Sequence, residues 1–267
     1  MFTVYLEKLD YNNNLNLFKN KTQLYIVQDL QIILTSLSKW KPRDSNLRNS
    51  ISARSLYKVV FECSKHVIGE YKQNDAVELL MYVLNKLDSE LRQRPPAEGE
   101  DKITFSDDPS FATSMFSSML ICRECCQGCG SLYTQRSETN LVISLGIPSE
   151  YYNGVSTNSS VGTLTDCLER FFGVEQLQDK RVDCKVCNSS QKSNSKIWIS
   201  QLPEVLCLHL SRFVYENNQS VKVQTLIQFP MVSLDMSKYV QSENGIAVDR
   251  EDCLYDLSSV IEHKGNR

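Results

Sequence analysis

The chain contains 267 residues with a formal net charge of −3; 41% of its residues are hydrophobic and 23% are charged. These fractions exclude a disordered or fibrous protein, and the negative balance argues against direct binding to nucleic acid or to an anionic membrane. No apolar run approaches the roughly 18 residues of a membrane span, and charges interrupt residues 1–10 before a signal-peptide core can form. We therefore expect an intracellular protein of the nucleus or cytoplasm, whose ten cysteines bind metal, catalyse or pack rather than form disulfides.

The first part of the chain predicts helices. Residues 1–20 are polar and rich in asparagine, which indicates a loose N-terminus. Apolar residues then recur at helical spacing across residues 24–37, as in an amphipathic helix. A second helix is predicted to begin at Ser52 or Ser55 and to end at Gly69.

The strongest helical pattern runs from Asp75 to about Leu91. Asp75 and Glu78 have the spacing of a capping box. The apolar residues behind them follow the period of a buried helix face: Ala76, Leu79, Leu80, Val83, Leu84, Leu87 and Leu91. Residues 93–110 are acidic and contain prolines, so they are interpreted as an exposed linker.

After Phe111 the pattern changes from helix to strand. Residues 141–147 alternate like a half-buried strand, and Thr163 is predicted to cap a short helix. Residues 205–213 predict another strand, and shorter candidates lie at 221–229 and 254–261. Because helices come first and strands follow, the predicted fold class is α+β.

Six of the ten cysteines form two clusters. The first contains Cys122, Cys125, Cys126 and Cys129, and the second contains Cys184 and Cys187. Two C-x-x-C turns can supply four thiolates to one tetrahedral zinc ion. Spacing alone leaves open which pair of the first cluster joins the second, and it also leaves open reduced, buried cysteines without metal. A redox role is disfavoured because no strand-then-helix context surrounds either motif.

A cysteine-protease site would need a thiolate beside a histidine. The chain has three histidines, His66, His209 and His263, and the sequence pairs none of them with a thiol. Cys63 is the first cysteine, and it lies on the apolar face of its helix. On the residues alone, no catalytic nucleophile can be named.

Several segments, in order, resemble the ubiquitin-specific protease family of deubiquitinating cysteine proteases. They are the box around Gln73, Asp75 and Glu78, the knuckle at Cys126 and Cys129 with the strand up to Pro148, the helix 163–172, the knuckle at Cys184 and Cys187, and the segment 196–213. The resemblance is greatest to the branch that removes monoubiquitin from histones. It implies a papain-like α+β domain, with a helical thumb at about 21–92 and zinc-bearing β fingers and a β palm at about 111–267.

The resemblance also implies binding residues. In the family's spacing, Cys126 and Cys129 join Cys184 and Cys187 around one structural zinc ion. Gln73, Asp75 and Glu78 match positions that contact the basic C-terminal tail of ubiquitin. For Asp75 and Glu78 a plain capping box explains the pattern equally well.

The departures from the family concern catalysis. The family's Gly-Asn-Thr-Cys box has no match, since neither glycine nor cysteine occurs before Cys63. His263 matches a non-catalytic histidine that precedes the family's Gly-His-Tyr box. We therefore expect a domain truncated at both ends, with no catalytic residue to assign and no cleavage by the family mechanism.

Three functional classes stay open at this point. The chain is a fragment of an active deubiquitinase, a non-catalytic ubiquitin-binding pseudoenzyme, or a zinc-stabilised scaffold without ubiquitin function. Genomic sequence on both sides would separate the first class from the others, because it would contain the two missing boxes in frame.

Overall fold

The computed structural model describes seven stretches of the chain: residues 26–39, 54–64, 75–92, 111–152, 161–216, 219–241 and 248–262. The chain divides into two compact units, Met1–Ala112 and Thr113–Arg267. The predicted loose N-terminus and acidic linker lie outside the described residues, as do His66, Gln73 and His263.

The first unit contains three described helices: α1 (Ile26–Lys39), α2 (Arg54–Cys63) and α3 (Ala76–Arg92). Helix α1 contacts both of the others. Their shared core consists of Ile26, Val59, Val60 and Leu87. All three helices were predicted from apolar periodicity, and the structure confirms a helix in each predicted segment. Helix α2 ends at Cys63, and the stop predicted at Gly69 lies outside the described residues.

Helix α3 buries its middle turns rather than its whole apolar stripe. Leu84 and Leu87 are buried, whereas Ala76 is exposed and Leu79 keeps 40% of its surface accessible. The predicted burial of Ala76 and Leu79 is therefore wrong. The reason is geometric, because the apolar residues of α3 that pack against the shared core lie further along the helix, at Tyr82 and Val83.

A buried carboxylate links α3 to the start of α1. Glu90 is 9% exposed, and its Oε1 accepts a hydrogen bond of 3.2 Å from the backbone N–H of Ile26. Lys86 Nζ lies 3.8 Å from the same carboxylate oxygen. The first N–H groups of a helix have no partner within the helix, so this acceptor satisfies one of them.

All strands among the described residues lie in the second unit, and they follow a short helix α4 (Phe111–Phe116) that was not predicted. The strands are β1 (Ser118–Cys126), β2 (Leu132–Asn140), β3 (Ile143–Gly146), β4 (Gly162–Thr163), β5 (Glu175–Cys184), β6 (Ser189–Gln201), β7 (Leu208–Ser211), β8 (Phe213–Glu216), β9 (Gln219–Lys222), β10 (Ile227–Gln228), β11 (Leu234–Asp235) and β12 (Leu254–Tyr255). Helix α5 (Leu164–Phe172) is the longest helix of this unit among the described residues.

The largest sheet has four antiparallel strands in the order β2-β1-β6-β5. Four two-stranded sheets lie around it. Strand β3 pairs with β7 in parallel, as β4 does with β10, while β8 pairs with β9 and β11 with β12 in antiparallel fashion. The predicted strands at 205–213 and 254–261 are present but much shorter.

The hydrophobic core of the second unit lies at one end of the four-stranded sheet. It contains Leu120, Ile143, Leu145, Ile147, Leu164, Cys167, Leu168, Phe172, Ile199, Val223, Ile227, Met236 and Tyr239. Leu120 is the only buried member from β1 and Ile199 the only one from β6, while β2 and β5 contribute none among the described residues. The far end of the sheet therefore lies outside this core.

Helix α5 is capped by Thr163, as the sequence predicted, and the structure shows a reciprocal capping box between Thr163 and Asp166. The Thr163 hydroxyl accepts a hydrogen bond of 3.1 Å from Asp166 N–H, and the Asp166 carboxylate accepts one of 2.9 Å from Thr163 N–H. The Thr163 hydroxyl also donates to Asp166, and this bond together with that from Tyr151 lowers the pKa of the carboxyl. The cap fixes α5 against the core.

None of the described helices is long and apolar enough to cross a membrane.

Replacing Thr163 with alanine tests the cap of α5. We expect Thr163→Ala to lower the free energy of unfolding by about 1 kcal/mol, because the Asp166 N–H loses its acceptor. Thr165→Ala is the matched control, since Thr165 is an exposed threonine of the same helix. Urea titration followed by circular dichroism measures both. Equal losses in the two variants would contradict the capping account.

Candidate metal centre

The far end of the four-stranded sheet carries two cysteine-bearing turns. The first joins β1 to β2 and contains Cys126 and Cys129. Gly130 N–H donates to Cys126 C=O at 2.8 Å, and Gly130 has φ +73°, a conformation that favours glycine. This turn bends the chain back so that both thiols point the same way.

The second turn joins β5 to β6 and contains Cys184 and Cys187. Here Asn188 adopts the left-handed conformation with φ +50°, which asparagine tolerates better than most residues. The Cys187 N–H lies 3.4 Å from Cys184 Sγ and donates to it. Backbone N–H groups that point at sulfur are typical of turns that hold metal-binding thiolates.

The two turns bring four sulfur atoms together. The Sγ atoms of Cys126, Cys129, Cys184 and Cys187 all lie within 4.8 Å of one another. Cys126 and Cys187 are 3.8 Å apart, and Cys129 and Cys184 are 3.5 Å apart. A tetrahedral zinc ion with Zn–S bonds of about 2.3 Å places its sulfurs about 3.8 Å apart. The four residues therefore fit zinc.

The other two cysteines of the first cluster lie elsewhere. Cys122 is in the middle of β1, and its Sγ is 3.3 Å from Ser195 Oγ on the neighbouring strand. Cys125 lies opposite Asn194 in the sheet register. Neither belongs to the four-sulfur group, so the geometry favours Cys126 and Cys129 over the alternative pair.

Hydrogen bonds give the thiols of this group different pKa values. The Ser131 hydroxyl, and then the Cys187 N–H, lower the pKa of Cys184 to about 6. The Ser131 hydroxyl also lowers the pKa of Cys129. A hydrogen bond with Cys129 raises the pKa of Cys187 to about 12. These contacts favour the thiolate form of Cys184, and a thiolate is the form that binds metal.

Ser131 is a part of this site that sequence reasoning missed. Its Oγ lies 3.1 Å from Cys129 Sγ and 3.3 Å from Cys184 Sγ, so one hydroxyl contacts a thiol from each turn. Its position two residues after Cys129 was the available signal, but serine is too common beside turns for that spacing to predict a role.

The ligand set indicates a structural rather than a catalytic metal. Four sulfur ligands leave no coordination position for water or substrate. Cys126 and Cys184 are buried at 3% and 5% exposure, and they stand at the ends of β1 and β5. An ion at this position would join two hairpins of the same sheet.

The remaining described thiols show no sign of activation. Burial raises the pKa of Cys63, Cys167, Cys207 and Cys253. His209 lies in β7, and its Nδ1 is 3.1 Å from the hydroxyl of Ser144 rather than from a sulfur. The described residues therefore contain no thiol–histidine pair.

Two of the three residues expected to contact ubiquitin are described. Asp75 precedes α3, and its carboxylate accepts a hydrogen bond of 2.7 Å from Val77 N–H. Its backbone C=O accepts one of 3.1 Å from Leu79 N–H. Glu78 lies in the first turn of α3, and both acidic residues are exposed. Asp75 thus caps the helix while its charge stays open to solvent.

Known proteins similar to this chain identify its family. The family described as "Ubiquitin carboxyl-terminal hydrolase" matches residues 2–267. Human Ubiquitin carboxyl-terminal hydrolase 3 is 32% identical over 237 residues, which cover 82% of this chain and 45% of that protein. Human Ubiquitin carboxyl-terminal hydrolase 22 is 29% identical over 238 residues, covering 79% and 44%. The chain belongs to the ubiquitin carboxyl-terminal hydrolase family, and it spans about half the length of these curated relatives.

Solved structures show the same fold. A SAGA DUB module that contains Ubp8, Sgf11, Sus1 and Sgf73 aligns with a TM-score of 0.72 at 23% identity, covering 99% of this chain and 53% of that chain. A module of these four proteins bound to ubiquitin aldehyde aligns with a TM-score of 0.64 at 22% identity, covering 89% and 48%. The predicted α+β fold of a ubiquitin-specific protease is confirmed.

Cysteine substitutions test the metal centre directly. We expect the purified chain to contain one zinc ion, and Cys126→Ser or Cys184→Ser to abolish it, because three thiolates and a hydroxyl bind zinc far more weakly than four thiolates. Zinc is measured by inductively coupled plasma mass spectrometry.

Cys122→Ser and Cys125→Ser are the matched controls for this experiment. Both change a cysteine of the same cluster, and both should keep the zinc ion. Zinc lost from a control but retained in Cys126→Ser would show that the sequence alternative, with Cys122 and Cys125 as ligands, is the right one.

Proposed function

We propose that this protein acts in the removal of ubiquitin from other proteins, and that the chain supplies ubiquitin binding and a zinc-closed sheet rather than bond cleavage. Membership of the ubiquitin carboxyl-terminal hydrolase family supports a role in the removal of ubiquitin. The four-sulfur group supports the zinc-closed sheet. The absence of a thiol–histidine pair among the described residues supports a role other than bond cleavage.

Bond cleavage in this family is thiol-dependent, so it needs a sulfur nucleophile and a nearby base. The four described cysteines outside the two clusters have pKa values raised by burial, which keeps them protonated at neutral pH. His209 contacts a serine. A nucleophile and its base act as a unit, so without both the chain would lose nearly all of the catalytic rate gain.

Ubiquitin binding is assigned to the start of α3. Asp75 and Glu78 place two exposed carboxylates within the first turn of a helix. The helix dipole stabilises negative charge at this position, and two exposed carboxylates there can attract a cationic ligand. The basic C-terminal tail of ubiquitin is such a ligand, and the resemblance assigns Gln73 to the same contact.

Zinc would contribute stability rather than chemistry. Cys126, Cys129, Cys184 and Cys187 would hold it, joining the β1–β2 and β5–β6 hairpins at the end of the sheet that the hydrophobic core does not reach. Structural zinc sites supply folding free energy where a sheet buries too little apolar surface.

The proposed partners are inferred from the family to which the chain belongs. We propose ubiquitinated proteins, with histones as the first substrates to examine, since structures that share this fold belong to SAGA DUB modules. This assignment favours the nucleus over the cytoplasm. A scaffold without ubiquitin function is the rival proposal, and the binding experiment below separates the two.

Titration of the chain with monoubiquitin tests the binding proposal. We expect the double substitution Asp75→Ser with Glu78→Gln to raise the dissociation constant about tenfold, because two carboxylates opposite a basic tail are lost. Serine preserves the cap of α3, so helix stability is kept. Isothermal titration calorimetry or chemical shifts of labelled ubiquitin report the affinity.

The charge-matched control is Asp29→Asn with Glu62→Gln, which removes two carboxylates from α1 and α2. Its affinity should stay near that of the unsubstituted chain. If the unsubstituted chain does not bind monoubiquitin, the ubiquitin-binding proposal is wrong and the scaffold is favoured. If both variants lose the same affinity, Asp75 and Glu78 are not part of the ubiquitin contact.

Hydrolysis of ubiquitin-AMC tests the second part of the proposal. We expect no fluorescence release above a heat-killed sample, because Cys184 and Cys129, whose pKa values are lowered, belong to the four-sulfur group. Burial raises the pKa of the four cysteines outside the two clusters, so none of them offers an activated nucleophile. Release that is abolished by a thiol-blocking reagent would overturn the proposal that this chain does not cleave.

A further inference from the structure

The four-stranded sheet has one face on which positive charges lie opposite one another. Arg123 of β1 is in direct register with Lys196 of β6, and Arg181 of β5 is in direct register with Lys192 of β6. Lys192 and Lys196 are four residues apart on one regular strand, so their side chains project from the same face. We call these four residues the basic face.

Two like-charged cross-strand pairs are unfavourable for the fold. Side chains in direct register have Cβ atoms about 5 Å apart, and like charges at that separation destabilise a sheet. The pattern is not general in this sheet, because on its other face Arg136 forms an ion pair of 3.4 Å with the buried Glu124. The sheet therefore neutralises charge on one face and accumulates it on the other.

Three of the four cations are oriented by neutral groups. Arg123 donates to Gln135 and Gln241 at 2.8 and 3.1 Å, and Arg181 donates to the Ser190 carbonyl at 3.1 Å. The Lys196 ammonium lies 3.6 Å from the centroid of the Trp198 ring.

No carboxylate neutralises the basic face within the described residues. The ion pairs of the second unit within the described residues include Arg136 with Glu124, Lys238 with Glu169 and Arg250 with Asp235, and none of these pairs involves a cation of the basic face. Asp183 lies on the same face, two residues along β5 from Arg181. The ion pairs found in the part of the chain that the structure describes do not include Asp183. The charge is thus held in place and left for a ligand from outside.

The spacing of the cations suits an extended acidic polypeptide. The pair at Lys192 and the pair at Lys196 are about 13 Å apart along the strand direction. An extended segment that runs along the sheet places its side chains i and i+4 at the same separation, with both on one side. Acidic residues at those positions would each meet a pair of cations.

Nucleic acid fits the basic face less well. The chain carries a net charge of −3, which opposes long-range attraction of a polyanion. Binding of unpaired bases also needs open aromatic rings, whereas the Trp198 ring is covered by Lys196. Charge complementarity and spacing together favour a protein partner.

We propose that the basic face binds an extended acidic segment of a partner protein. The site is distinct from the ubiquitin contact at α3 and does not depend on it. In the absence of the partner, the two like-charged pairs cost stability, so binding and relief of this repulsion are linked.

The test measures binding of a fluorescent peptide of alternating glutamate and serine by fluorescence anisotropy. We expect the chain to bind it at low salt, with an affinity that falls as salt rises. Lys192→Gln with Lys196→Gln should raise the dissociation constant about tenfold. Arg123→Gln with Arg181→Gln removes the arginine of each pair instead of the lysine, and it should also raise the dissociation constant about tenfold.

The charge-matched control is Lys58→Gln with Arg170→Gln, two exposed cations outside the basic face, and it should change the affinity by less than about twofold. Thermal unfolding provides a second readout, because removing the repulsion should leave the lysine variant at least as stable as the unsubstituted chain.

Three results would overturn the proposal. They are no binding of the peptide by the unsubstituted chain, equal weakening in the control, and tight binding of a single-stranded oligonucleotide that the lysine variant loses while the peptide does not bind.

Discussion

The second unit depends on the convergence of four sulfur atoms at the end of its main sheet. The hydrophobic core takes only Leu120 from β1 and Ile199 from β6, and both lie near one end of the sheet. Beyond them the sheet buries few side chains outside the cysteine turns, and these are mixed: Ile121 and Val182 are apolar, whereas Glu124 and Ser193 are polar. Strand β2 is exposed over nearly its whole length. A sheet built this way gains little from burial of apolar surface, and a metal held by the four sulfurs would join its hairpins where that core is missing.

This constraint separates the roles of the two units. The helical unit has its own apolar core around Ile26 and Leu87, and it presents the acidic start of α3 to solvent. The sheet unit combines a core at one end with the metal centre at the other. Because stability comes from different sources in each unit, a surface such as the basic face can carry unfavourable charge pairs without loss of the fold.

The sequence predicted the elements whose own residues determine them. Helices α1 and α3 follow apolar periodicity, and Thr163 with Asp166 forms a cap that needs only neighbouring residues. The grouping of Cys126 and Cys129 with Cys184 and Cys187 came from family resemblance, because 54 residues separate the two turns and spacing alone could not bring them together.

Other features could not be read from the sequence, for physical reasons. Strand β2 is exposed over nearly its whole length, and β5 buries only Val182 and Cys184 among its described residues, near its end, so neither strand shows the sustained apolar alternation that marks a half-buried strand. The strand predicted at 205–213 shortens to Leu208–Ser211 because its register with β3 spans only four residues. The contact of Ser131 with both cysteine turns and the opposed cations of the basic face depend on register, which local pattern does not determine.

Hydrogen–deuterium exchange with and without a zinc chelator tests the central claim most directly, because it reports on each strand and helix separately. The account predicts that chelation strips amide protection from β1, β2, β5 and β6, beginning near the cysteine turns, while α1, α2 and α3 keep theirs. Unchanged protection in these strands after the zinc has been removed, as verified on the same sample, would contradict it.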